Sequence, residues 1–167
     1  MKIGTLQIST MITQQQFAQL LPLAVVWAKQ QENYILQNGV ELTQSQQSDA
    51  RLASVSKSEN VRLLKVNQIP LPEEPVLRTA AQITGLITRN TIGLTLRYGI
   101  FIREDFLNDR KLVVHELVHV SQYERLGSIG QFLQKYLQEC ITIGYPQAPM
   151  EQEATTLSNR IVVASNF

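Results

Sequence analysis

The sequence predicts a small α+β domain, with a β-hairpin or small sheet packed on a central helix and further helices on both sides. Three observations carry this prediction. Two short runs rich in β-branched and aliphatic residues, 91–96 and 100–103, flank the turn-like Arg97-Tyr98-Gly99. Residues 112–120 follow, apolar on nearly every side as a buried helix would be. Elsewhere, capping signals and proline or glycine punctuation mark out amphipathic helices.

The elements fall in order. Thr13-Gln14-Gln15-Gln16 has the form of a capping box and opens a helix running towards Gly39. Pro22 either kinks that helix or marks its true start. Leu20, Leu23, Ala24, Trp27, Tyr34 and Ile35 suit its inward stripe. Thr43-Gln44-Ser45-Gln46 repeats the capping pattern and starts a short polar helix to about Val55. Residues 61–66 read as a strand, 69–75 with three prolines as extended loop, and 74–83 as a helix ended by Gly85. After the hairpin, Asp109 is placed to cap the apolar helix, which ends at Gly127. Ser128-Ile129-Gly130-Gln131 opens the next helix, with Leu133, Leu137, Cys140 and Ile141 inward, closing at Gly144. Pro149 starts the last helix, whose stripe is Met150, Ala154, Leu157, Ile161 and Ala164. No repeat or linker interrupts residues 1–167, which read as one domain with a helical part at about 13–55 and a functional part at about 91–164.

Composition narrows the class. A hydrophobic fraction of 44% and a charged fraction of 17% belong to a globular chain able to bury a core. Net charge is +1 with dispersed basic residues, which argues against nucleic acid as a partner. The one cysteine, Cys140, excludes an internal disulfide and fits a reducing compartment, so a cytoplasmic location is expected. Residues 17–28 are apolar enough for a signal-peptide core, but only Lys2 precedes them as a basic residue and the run is too short to span a bilayer. They read as a core helix. Nothing in the pattern fixes an oligomeric state.

Within the buried helix stand the only two histidines of the chain, His115 and His119, with Glu116 between them, as H-E-x-x-H. Residues four apart stack on one helix face, so two imidazoles can grip one metal ion. The glutamate lies just around the helix, where a carboxylate can take a proton from water activated by the metal. Random placement gives this arrangement on the order of once in a thousand chains of ordinary composition. A catalytic zinc normally takes three protein ligands, and no third histidine exists, so a carboxylate must complete the set. Glu151 and Glu153 stand at the start of the last helix, about 200° apart around its axis. They cannot both face one ion. Geometry leans slightly to Glu153, nearer the apolar stripe, and does not settle the choice.

HELVHVSQY followed by a helical connection and PMEQEA resembles the gluzincin branch of zinc metallopeptidases, and more closely the compact, mostly uncharacterised zincin-like proteins of bacteria. The similarity spans about residues 91–164. It implies a zincin-like fold, a Zn2+ cofactor, and a third ligand from an E-x-x-A pattern on a later helix, which matches Glu151-Gln152-Glu153-Ala154 and points to Glu151. It also implies that an edge strand beside the cleft pairs with an extended peptide or protein substrate. Residues 99–103 are assigned that part, with an ordinary strand packed on the motif helix as the alternative. Many gluzincins have an aspartate directly after that alanine; this chain has Thr155.

The expected function is therefore zinc-dependent hydrolysis of peptide bonds, with Glu116 as general base and metal ligands His115, His119 and Glu151. Tyr145, just before the Glu151 helix, is the first choice as oxyanion donor; Tyr123 and Arg160 are the others. A non-catalytic zincin-fold protein that binds a protein partner is the competing class, and hydrolysis of another amide or ester bond is a third. An open groove beside converging ligands separates the first from the second. Cys140 lies on a core stripe with no further histidine to activate it, which argues against a thiol nucleophile.

Overall fold

The computed structural model describes residues 12–165. The chain folds as an α+β structure: α1 (Gln14–Asn38), β1 (Val40–Glu41), α2 (Gln44–Leu52), β2 (Arg62–Val66), α3 (Pro75–Ile83), β3 (Gly93–Leu96), β4 (Gly99–Arg103), α4 (Arg110–Leu126), α5 (Ile129–Thr142) and α6 (Pro149–Ala164). Both threonine capping boxes form, Thr13 with Gln16 and Thr43 with Gln46. Helix α1 starts at Gln14 and carries Pro22 in its interior, so the proline does not mark the start. Its buried stripe is Phe17, Ala24, Ala28, Glu32 and Ile35. Leu23 and Tyr34, expected inward, are 41% and 53% exposed, because the stripe follows steps of seven, four, four and three residues that leave both on the outer face. Ala164, expected on the α6 stripe, is also exposed.

The sheet order is β1-β2-β4-β3. Strands β1 and β2 are antiparallel, β2 and β4 parallel, and β4 and β3 antiparallel. Strand β4 is therefore internal and hydrogen-bonded on both sides, which removes it as a substrate-pairing edge. Among the described residues that position belongs to β3. Side chains of β4 alternate between two cores. Ile100 and Ile102 pack with α2, α4 and α6, while Phe101 packs with α1, α3 and α5. Helix α4 is buried along most of its length, from Leu112 to Tyr123, with only His115 in that span more open. Among the described residues no helix is long and apolar enough to cross a membrane.

Candidate metal centre

Helix α4 begins where Asp109 accepts a hydrogen bond from the Leu112 N–H and ends at Gly127, whose φ of 97° suits glycine. Between those caps, helical spacing sets His115 and His119 side by side, with Nε2 atoms 3.2 Å apart. Helix α6 brings Glu151 to meet them. Its Oε2 lies 3.1 Å from His115 Nε2, and its Oε1 lies 3.0 Å from His119 Nε2. Pro149 opens α6, and Glu139 of α5 accepts the Met150 N–H at 2.9 Å, supplying the cap that Ala148 cannot.

Among the described residues, His115, His119 and Glu151 form a cluster that can hold a metal ion, with ligand atoms all within 4.8 Å of one another. The separations fit the donor set. Ligands 2.0–2.1 Å from a tetrahedral ion stand ~3.3 Å apart. The tautomer fits too. Gln122 Nε2 donates to the Met150 carbonyl and to Glu153 Oε2, which leaves its Oε1, 2.8 Å from His119 Nδ1, as an acceptor. His119 therefore carries a proton on Nδ1 and turns Nε2 to the cluster. Tyr136 donates its hydroxyl to Glu151 Oε1 at 2.7 Å, and its ring stands edge-on to His119.

Electrostatics follow from burial and convergence. Burial alone pulls the His119 pKa down, but the Glu151 hydrogen bond and charge, with Glu116 behind them, push it up to about 9. Burial alone raises Glu151; hydrogen bonds from both imidazoles overcome it and hold the carboxyl far below its usual range.

Glu116 is 5% exposed and held from the sheet side. Thr95 of β3 places Oγ1 2.6 Å from Glu116 Oε2. Gly93, two residues earlier on the same face of β3, leaves room for the carboxylate, since a Cβ there would lie 2.6 Å from Glu116 Oε1. Glu116, the three cluster residues and Tyr145 all border one cleft, which encloses about 150 Å³.

Of the other candidates, Glu153 and Arg160 are placed elsewhere, whereas Tyr123 and Tyr145 line the cleft. Glu153 turns away to a two-pronged pair with Arg125, at 3.1 and 2.9 Å, so it is not a ligand. Tyr123 is 2% exposed, stacks on Phe132 and spends its hydroxyl on the Thr95 carbonyl at 3.3 Å, which removes it as an oxyanion donor. Arg160 is exposed and nine residues past Glu151, about half a revolution around α6, so it faces away from the cluster. Tyr145 borders the cleft at 46% exposure, and partial burial with the Glu151 and Glu116 charges keeps its hydroxyl protonated, its pKa pushed up to about 12. Burial and the Glu151 charge also push the Cys140 thiol up to about 12, which leaves it a poor nucleophile.

Sequence reasoning missed Gln122, Thr95, Gly93 and Tyr136. Gln122 had a local signal, being a polar residue three positions after His119 on the same helix face. The others meet the site only through tertiary packing. Comparison with protein-family models, curated proteins and solved structures gives no match.

Proposed function

We propose that the protein is a zinc-dependent hydrolase of the zincin type, a small metallopeptidase in which Glu116 is the general base. One observation carries the reading: two imidazoles and one carboxylate converge within hydrogen-bonding distance, and their cleft also contains Glu116 and is open among the described residues. A plugged cleft or a carboxylate turned away would have favoured a partner-binding protein.

His115, His119 and Glu151 would hold the ion, and imidazole and carboxylate donors without a thiolate make zinc the best match. When bound, zinc supplies Lewis-acid polarisation of a carbonyl and lowers the pKa of a coordinated water towards ~7. Glu116 receives the proton of the attacking water on Oε1, while Thr95 fixes Oε2, and then delivers it to the leaving amine. Tyr145, protonated and bordering the cleft, donates to the developing oxyanion, while the Tyr136 hydroxyl stays on Glu151 Oε1.

Strand β3 supports the substrate class. The Arg103 N–H donates to the Ile92 carbonyl at 2.8 Å, so alternation turns the backbone groups of Gly93 and Thr95 to the outer edge. With the Thr95 carbonyl taken by Tyr123, Gly93 offers the position where an extended peptide can pair. The resemblance of residues 91–164 to gluzincins agrees with this arrangement, with Gln122 rather than an acidic residue orienting His119. The lone, buried Cys140 suits a reducing compartment.

The test is digestion of a peptide library by zinc-loaded protein beside Glu116→Gln. The variant is expected to keep its zinc and lose roughly 10²–10⁴-fold in rate. Equal rates overturn the assignment.

A further inference from the structure

Beyond the metal cluster the cleft continues between α1, α3 and α5, and its chemistry changes. Leu20, Ala24 and Trp27 of α1, Ala81 of α3, and Leu133 and Leu137 of α5 line it. Among the described lining residues there is no Lys, Arg or Asp, and the only carboxylates are Glu116 and Glu151 at the cluster. The α1 wall runs from Phe17 to Ala28, about three turns or ~16 Å of helix, which is longer than one amino-acid side chain. The cleft therefore has one polar, reactive end and a long uncharged trough.

That shape selects its occupant. A polypeptide lying in the trough would bury an amide at every residue, each needing a hydrogen-bond partner that aliphatic walls do not give. A lone short side chain would leave most of the trough empty. An unbranched aliphatic chain has no polar group to desolvate, and each methylene buried strengthens binding roughly fourfold. We infer that the amide hydrolysed here joins a long aliphatic acyl chain to an amine or peptide, the chain lying in the trough and its carbonyl at the cluster. This rests on the hydrolase reading above and narrows the bond it cleaves. Water gives its oxygen to the acyl carbon, the C–N bond breaks, and Glu116 passes the water proton to the departing nitrogen. A fatty carboxylate and an amine result, with no change of oxidation state.

The experiment measures dissociation constants of straight-chain hydroxamates, from acetyl to decanoyl, on zinc-loaded protein, beside phenylalanine hydroxamate. Affinity is expected to rise roughly fifteenfold for every two methylenes until the trough is full. Ala81→Trp, which narrows the trough, should flatten the series and leave acetohydroxamate binding unchanged. Equal affinity for the acetyl and decanoyl compounds, or phenylalanine hydroxamate binding as tightly as decanoyl, overturns the inference. Should the protein take no zinc and no hydroxamate, the hydrolase reading fails, and 1-decanol on metal-free protein decides the trough separately. Decanol binding that Ala81→Trp blocks sustains the chain site; no decanol binding overturns it.

Discussion

Thr95 on the edge strand and Glu116 on the central helix meet through a 2.6 Å hydrogen bond, so the sheet orients the carboxylate that the helix delivers. A bond to an ionised group contributes ~1.5–3 kcal/mol. Thr95→Val is expected to lower kcat/KM by roughly ten- to a hundredfold while zinc affinity stays unchanged. Gly93→Ala presses a methyl against Glu116 Oε1, and should lower stability by ~1–3 kcal/mol as well as activity. Steady-state kinetics, zinc titration and thermal melts on the two variants check both. A Thr95→Val enzyme with wild-type kcat/KM would show that the hydroxyl does not orient the base.

Gln122 is wholly buried and ties the His119 ring to Glu153 and the Met150 carbonyl. Gln122→Ala is expected to weaken zinc binding roughly ten- to a hundredfold by freeing the imidazole to rotate and change tautomer. Competition against a chelator of known affinity measures this. Unchanged affinity contradicts the orienting role.

Metal-free protein should show the coupling of His119 and Glu151 in its pH profile. The raised His119 pKa contributes stability that is complete below 6.5 and lost as pH climbs through about 9. The lowered Glu151 pKa contributes stability that is complete above 4.5 and lost as pH falls through its depressed value. Both act in full only between those limits, so the melting temperature should peak near pH 5.5 and fall by pH 9.5. Zinc must displace the His119 proton, so its affinity should rise about tenfold per pH unit up to about 9. Isothermal titrations in two buffers of different ionisation enthalpy count the proton released. Release of none at pH 7 contradicts the raised imidazole pKa.

Local chemistry made much of this legible. The Thr13 and Thr43 capping boxes, the Asp109 cap and the Arg97-Tyr98 turn are short-range signals, and each element forms where its signal lies. Strand order is a different matter. The parallel pairing of Leu63 with Ile100 joins segments far apart in the chain, and nothing local in either run reveals that β4 is internal and β3 the edge. The choice between Glu151 and Glu153 was likewise open to periodicity. It is decided by Arg125 and Gln122 on α4, which together take Glu153 and leave Glu151 facing the imidazoles. The contribution of α1 to the cleft was hidden for a similar reason. Its apolar residues are numerous enough to suggest two stripes, and only docking on α5 and the sheet selects Ala24 and Ala28 over Leu23 and Tyr34.

Zinc content per chain, measured on the purified wild-type protein beside Glu151→Gln and Glu153→Gln, tests the metal centre most directly. One zinc per chain in the wild type and in Glu153→Gln, with loss from Glu151→Gln, is the expected result. Wild-type protein that binds no zinc, or Glu151→Gln that holds it as tightly as the wild type, contradicts the centre described here.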